Sequence, residues 1–416
     1  MFSPYFKFKY FFIFYTLIRV PLHTFVFEFD SKGRIYFALM LVLLASTFWE
    51  KSKDKRLNLP IVIWGIWMIY ALVNTLVQGM NFDMESWQFF YYLSAPLILI
   101  YLINLNKDIT EFSRLLNTVT FSAYIGTLIV VFFETSRFYS GEGFRLGYTM
   151  NANEIGIASL FTLLFLYLNY SFNQIKFRTL LILALLPTYV VLLSGSRAAF
   201  IPFVFLFASH FFIAKYKNKI VKIPLLVIGV ILFFALMNFI ESNFIVMERI
   251  RDLNKEAYST VNTGTVLDNL GSRAQYFYYG SEIFRRNPIW GIGLGNYRIH
   301  NPINRQPNHV EIMIQLSELG IIGFILFLTF NLWILRKFIY IWKNTKEQRK
   351  QTASLIIGFI CILALSFTTY TYSNLSVFAY LGLIIAFIIR TDKIHNSGKD
   401  IDFSPNEQYK LNTYIQ

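Results

Sequence analysis

The sequence predicts an all-α, polytopic membrane helix bundle of about 12 transmembrane helices, with one long extracytoplasmic loop that contains short helices. Three observations carry that prediction. Of 416 residues, 55% are hydrophobic and only 15% charged, with mean hydropathy +0.48, a balance foreign to a water-soluble globule. Apolar runs recur at close to the roughly 20 residues that a bilayer requires of a helix, and strand-length alternation is absent, which argues against a barrel. Basic residues alternate between the two sides of the membrane without a break when the amino terminus is placed in the cytoplasm.

The predicted spans are 10–29, 34–49, 59–78, 88–105, 112–133, 153–170, 179–193, 198–214, 223–240, 318–341, 353–371 and 374–389. They divide the chain into helices one to nine over 1–240, an extracytoplasmic loop over 241–317, helices ten to twelve over 318–390, and a polar cytoplasmic tail over 391–416. The first span lacks a small-residue cleavage site and runs through Arg19, Pro21 and His23, so it reads as a retained helix. Cys361 is alone and lies inside a span, which leaves no disulfide and no thiolate metal site. No internal repeat of the kind found in many transporters is visible.

Lysine and arginine are sorted differently. On this topology the inner side carries 18 lysines and 6 arginines, the outer side 2 lysines and 11 arginines, with Arg19 inside the first span. Lysine acts as a positive-inside retention signal, whereas an arginine fork binds phosphate oxygens two at a time. The net charge of +14 therefore does not indicate nucleic acid: most of the excess lies in short inner loops facing anionic lipid. The loop 241–317 has seven arginines and one lysine against seven acidic residues, so its arginines act locally.

The segment 179–214 places Arg197 at membrane depth. Its first apolar part, 179–193, has 15 residues and rises about 22 Å, short of the roughly 30 Å of hydrocarbon, so Ser194-Gly195-Ser196-Arg197 sits below the outer surface. An arginine there faces water, protein or an anionic ligand, or else snorkels to the headgroups. Small Ala198 and Ala199 allow a close approach. The outer loop 135–153 adds Arg137 and Arg145, and Asn151 or Asn153 can cap the following helix, where free amides favour an anion; capping alone also accounts for both asparagines.

In the long loop, Ser272 followed by Gln275 fits a capping box, so a helix should run from Arg273 to about Arg286 and stop at Asn287-Pro288. Such a helix lies on the outer interface with its aromatic side down and Arg285 and Arg286 at its end; its rings can anchor in the membrane or stack on sugars. Gly291-Ile292-Gly293-Leu294-Gly295 is only superficially a dinucleotide fingerprint, since Asn296 stands in place of the third glycine and no strand precedes it. It reads as a tight turn bringing backbone close to something, or as a plain linker. Asn308 as N-cap with Glu311 three residues on leaves His309 in the first helical turn, where the positive helix end favours a neutral imidazole able to accept a proton. A surface histidine at a helix start is the plainer alternative. His300 has no companions at metal-ligand spacing. Glu318 lies nine residues beyond His309, on the opposite side of a continuous helix, and is expected to pair with an arginine of another helix; Gly320 and Gly323 allow close packing.

These pieces together resemble the O-antigen ligase and polymerase superfamily of bacterial envelope polysaccharide assembly. The resemblance covers about Leu180 to Phe330 through Leu193-Ser194-Gly195-Ser196-Arg197-Ala198, Ser272-Arg273 leading to Asn287-Pro288-Ile289-Trp290-Gly291-Ile292-Gly293, and Asn308-His309 leading to Glu318-Leu319-Gly320-Ile321-Ile322-Gly323, with a weaker match at Gly147–Gly156. The family's usual His-Asn pair departs here, because Val310 follows the histidine. The resemblance implies a metal-independent, cofactor-free glycosyltransferase in the bacterial inner membrane, both termini cytoplasmic, acting on the outer face on undecaprenyl-pyrophosphate-linked oligosaccharide. It implies Arg197 and Arg273 on the donor pyrophosphate and His309 as base for the acceptor hydroxyl; the reading of the residues adds Arg145, Arg286, Arg298, Asn153 and Glu318 as further substrate-side candidates. The implied partners are the carrier-linked oligosaccharide, membrane lipid and a chain-length regulator, with no nucleic acid. Polymerase is the preferred reading, ligase to lipid A core or another acceptor such as a protein hydroxyl the alternative, and a transporter of anionic lipid or solute a third.

Overall fold

The computed structural model describes residues 13–14, 59–79, 99, 102–103, 109–135, 152–213, 272–300, 308–346, 348–369, 371–372 and 374–396. Among these, eleven helices and no strands occur: α1 Leu59–Val77, α2 Ile109–Thr135, α3 Ala152–Ser171, α4 Phe177–Ser194, α5 Arg197–Ile213, α6 Ser272–Arg286, α7 Tyr297–His300, α8 Glu311–Ser317, α9 Gly320–Asn344, α10 Arg349–Ser366 and α11 Leu375–Asn396. Seven are long and apolar enough to cross a membrane, namely α1 to α4 and α9 to α11, and the apolar stretch Ala198–Ser209 of α5 is shorter. The protein is a polytopic helical bundle. The predicted spans 34–49 and 223–240, most of 10–29 and of 88–105, the loop segments 241–271 and 301–307, and Arg145 lie outside the described residues.

Apolar burial selects the packing. Trp64 and Trp67 of α1 are buried and stack on each other at 4.8 Å, while Trp64 stacks on Tyr372 at 5.4 Å and meets Phe330 of α9 at 4.8 Å. Such offset and tilted ring pairs add attraction beyond the area they bury. The opposite flank of α1 exposes Ile69, Val73 and Val77, as a face toward lipid should. In α3 nearly every side chain is buried, so this helix is central rather than peripheral.

One end of the bundle gathers the features of interest. Helix α10 runs antiparallel to α3: Ser354, near its start, is hydrogen-bonded to Ser171 at the end of α3, and Lys350 Nζ donates to the Tyr170 carbonyl. The end of α10 therefore lies beside the start of α3, where Gly156 touches Ser194, Ser196 and Ala199. The α5 start, the turn after α10 and the short helix α8 all belong to this end.

Three expectations about helix limits and one about a helix face need correction. Helix α4 has 18 residues rather than 15, beginning two residues earlier at Phe177 and ending one later, where Gly195 takes φ 61° and donates back to the Leu192 carbonyl. The tenth span is not a continuation of the segment at Asn308: a separate seven-residue helix, α8, ends at Ser317 with Glu318 as its C-cap, and the span starts at Gly320 with φ 64°. A left-handed residue cannot continue an α-helix, and the break removes the nine-residue helical register assumed between His309 and Glu318. The segment from Thr391 is helical as far as Asn396, held where Thr391 Oγ1 donates to Gln348 and Lys337 pairs with Asp392. Finally, the face of α6 expected to lie on the membrane is in part packed on the protein: Tyr276 and Ile283 are buried against α8 with Val310 and Met313, while Tyr278 is exposed.

Candidate functional site

The Ser194–Arg197 corner is assembled by small residues. Ser194, Gly195 and Ser196 are buried, and Ala198 and Ala199 are 1% and 0% exposed. A Cβ on Gly156 would lie 2.7 Å from Ser194 Oγ and 2.8 Å from Ser196 Cβ, so only glycine lets α3 approach this closely. Ser196 Oγ donates to Asn153 Oδ1 at 3.0 Å and accepts from the Ala199 amide at 3.3 Å. Asn153 is the second residue of α3, not its cap; its side chain holds the corner that presents Arg197 at the first position of α5. For Arg197 and Arg273 the description extends to the backbone alone.

His309 lies outside its predicted helix. The first residue of α8 is Glu311, the N-cap is Val310 without a side-chain cap, and Asn308 Oδ1 accepts from the Val310 amide at 2.9 Å in a tight Asx turn. The helix-end reason for a neutral imidazole is correspondingly weaker, because the charge effect falls off within the first turn. The imidazole is half-buried and packs edge-on against Tyr276 of α6 at 5.3 Å, and Tyr276 in turn meets Tyr297 at 6.4 Å. Residue 273 precedes Tyr276 by one helical turn on the same face of α6. Two buried polar atoms adjoin this cluster without a hydrogen-bond partner among the described residues, Tyr297 Oη and Asn308 Nδ2, an unusual cost in a folded interior. Burial pushes the Tyr297 hydroxyl well above its ordinary range, with Tyr276 and Glu318 adding to the effect.

Helix α8 is braced at both ends by buried carboxylates. At its start, Glu311 is 0% exposed; Oε2 accepts the amides of Thr371 and Tyr372 at 2.9 and 3.0 Å, Oε1 accepts from Gln315 at 2.8 Å, and the Glu311 amide donates to the Thr369 carbonyl at 3.3 Å. Gln315 also accepts from Trp67 Nε1 at 2.9 Å, which ties α8 to α1. At its end, Glu318 Oε2 and Oε1 accept the amides of Gly295 and Tyr297 at 2.7 and 3.3 Å. Among the described residues, backbone amides and no arginine partner the Glu318 carboxyl group, so the expected interhelical ion pair is replaced by an amide cradle. Burial pushes its carboxyl up to about 8, with the two amides pulling the other way and Glu311 adding a smaller push upward.

The glycine loop is the other half of this brace. Gly291, Gly293 and Gly295 all have positive φ, which bends the chain so that successive amides point at α8. Ile292 and Gly293 donate to the carbonyls of Ser317 and Glu318 at 3.2 and 2.8 Å, and Ile321 returns a bond to the Pro288 carbonyl at 2.8 Å. A Cβ on Gly320 would fall on the Ile289 carbonyl, and one on Gly291 on the Glu318 carbonyl. Asn74, Thr75 and Tyr70 of α1 complete the clasp by bonding the Trp290 carbonyl, the Leu294 amide and the Leu319 carbonyl at 2.8, 2.9 and 2.7 Å. The loop is thus a tight turn against Glu318–Gly320, not a linker.

The two clusters share α10. Cys361 Sγ lies 3.7 Å from the Pro202 carbonyl of α5, and the turn that follows α10 binds Glu311. Pro202 is about 7.5 Å along the helix from Arg197, and Cys361 is about 7.5 Å from the end of α10, so both lead to the same end of the bundle. Arg298 is partly buried, which lowers its pKa, while Arg286 is 77% exposed at the end of α6 and lies 3.8 Å from Glu282. Sequence reasoning missed Glu311 as a brace, together with Gln315, Asn74, Thr75, Tyr70 and Tyr276 as packing partners. Residues 311, 315 and 318 fall at helical spacing on one face, a polar stripe that was available as a signal.

The model of the O-antigen ligase family matches residues 180–328, from within α4 to within α9. No curated protein matches the chain. The matched stretch contains the Ser194–Arg197 corner, α6, the glycine loop, His309 and the Glu318 turn, and over it the chain is similar to the O-antigen ligase family.

Proposed function

We propose that the protein is a polysaccharide polymerase that joins undecaprenyl-pyrophosphate-linked oligosaccharide repeats at the outer face of the bacterial cytoplasmic membrane, with both termini inside. The observation that carries this reading is the seating of His309 against Tyr276, one turn along α6 from Arg273, at the bundle end that also holds the Arg197 corner. His309 takes the proton of the acceptor hydroxyl. The hydroxyl oxygen then forms the new bond to the anomeric carbon while the bond from that carbon to the pyrophosphate oxygen breaks. Arg197 and Arg273 receive the charge that develops on the departing pyrophosphate, with Arg145 and Arg298 as secondary cations. A single displacement inverts the anomeric centre; no nucleotide is required because the carrier linkage stores the energy, and the arginines take the charge that a metal would otherwise meet. Tyr297 Oη and Asn308 Nδ2 would be satisfied by sugar hydroxyls. Asn153 and Glu318 act as positioning residues in this scheme.

The description of the matched family favours one second reading, ligation of a finished glycan to lipid A core. Purified protein incubated with a carrier-linked oligosaccharide, without nucleotide or metal, separates the two: a ladder of products is expected, whereas product formed only on addition of lipid A core would replace polymerase with ligase. His309→Ala should bind donor and lower bond formation by about 10²- to 10⁴-fold. Unchanged turnover in that variant would remove the base from the scheme.

A further inference from the structure

The turn between α6 and the glycine loop is more exposed and more apolar than an aqueous loop should be. Ile289 is 52% and Trp290 55% exposed, separated by two residues from the arginines that close α6, whose side chains are 78% and 77% exposed. The height of this turn is set by its bonds. The Trp290 carbonyl accepts from Asn74, and the Trp290 ring stacks at 6.4 Å on Tyr70. Tyr70 and Asn74 lie seven and three residues before the end of α1 at Val77, so Trp290 sits about 5–10 Å inside the end of that span. Its other anchor is the first turn of α9, through the bond from the Ile321 amide to the Pro288 carbonyl.

The exposed surfaces on either side are apolar as well. On α1 Val73 and Val77 are 53% and 77% exposed, and on α9 Ile325 is 52% exposed. Ile289 and Trp290 therefore continue the lipid-facing surface of two adjacent spans. We propose that the Arg285–Trp290 turn docks into the outer leaflet of the bilayer, with Ile289 and Trp290 at the acyl boundary and Arg285 and Arg286 on phospholipid phosphates. Tryptophan is suited to that depth, and one glutamate, Glu282, leaves the arginine pair with an unmatched positive charge. The docking fixes the height of the clasp, and with it His309, relative to the membrane. Arg286 is thereby assigned to ordinary lipid phosphate rather than to the sugar donor.

The test uses the full chain in lipid nanodiscs, in a Cys361→Ala background, with nitroxide labels on Ile289→Cys, Ile325→Cys and Tyr278→Cys. The label at 289 should be more accessible to oxygen than to a water-soluble nickel chelate, as at 325, and the label at 278 should show the reverse order. A label at 289 that behaves like the one at 278 places the turn in water; one protected from both reagents places it under protein. Either result overturns the proposal. Should Ile289→Cys fail to fold, lipids brominated near the headgroup should quench the tryptophan emission of the native protein more than that of Trp290→Phe. Equal quenching of the two would also overturn it.

Discussion

The Arg197 corner and the His309 segment sit at the same end of the bundle and are built by opposite means. The corner depends on the absence of volume: Gly156, Ala198 and Ala199 let two helices close around buried serine hydroxyls. The His309 segment depends on paired backbone: Glu311 and Glu318 each take two amides, and glycines with positive φ aim those amides or clear their path. Inside a membrane protein the first device suits a tight crossing of helices, where the few amides freed at the corner, those of Ser196 and Ala199, are met by the buried serine hydroxyls themselves. The second suits a place where spans are interrupted, because freed amides and carbonyls there need partners from the protein. The difference predicts that the corner fails when atoms are added and the clasp fails when acceptors are removed or glycines are filled.

Gly320→Ala should have the largest effect. Its Cβ meets the Ile289 carbonyl at a position with φ 64°, so steric and conformational costs combine to about 3 kcal/mol or more, seen as loss of folded protein on thermal unfolding in detergent. Gly295→Ala is the internal control: φ is 84° but the space is open, and the cost should be near 1 kcal/mol. Equal losses would mean that left-handed geometry alone, not close approach, governs the clasp.

Next come the carboxylates. Glu311→Gln turns an amide NH₂ toward Gln315 or toward the Thr371 and Tyr372 donors, and should cost about 1–3 kcal/mol; adding Gln315→Glu should recover part of it by restoring an acceptor to that pair. Glu318 gives a pH signature. Its pKa in the folded protein is about 8, above the usual carboxylate value, so the folded state binds more protons than the unfolded state between roughly pH 4.5 and 8. The contribution is fully present below that window and is lost as pH rises through it. Unfolding temperature should fall from pH 5 to pH 8 and the slope should flatten in Glu318→Gln; an unchanged slope would mean that another group titrates.

The contrast also explains what could be read in advance. Hydropathy marked the spans at α1 to α5 and α9 to α11 to within a few residues at most ends, because long apolar runs have no other stable fate in a bilayer. Helix α6 was legible from Ser272, Gln275 and Asn287-Pro288, since caps and stops act locally. The split between α8 and α9 was not, because Gly320 in an apolar run looks like a packing glycine until Ile289 is known to lie against it. Glu318 was misassigned for the same reason: its amide partners come from 21 and 23 residues away, and a carboxylate without a visible cation invites an ion pair. Asn153 and Ser196, 43 residues apart, were each noticed without being joined.

At the corner, Gly156→Ala should cost about 1–3 kcal/mol, since Ser194 Oγ and Ser196 Cβ both have to move and both are buried. Ser196→Ala is the mildest change and the sharper test of how the corner works. It adds no volume, and removes one hydroxyl that donates to Asn153 and accepts from the Ala199 amide near the start of α5. The expected loss is about 1 kcal/mol, the ordinary worth of such a bond or cap. Asn153→Ala should cost a similar amount through the same hydrogen bond, so the double variant should fall short of the sum of the two, as residues in direct contact do. Additive losses in thermal unfolding would show that Asn153 and Ser196 stabilise separate things, and the corner would then rest on close packing alone.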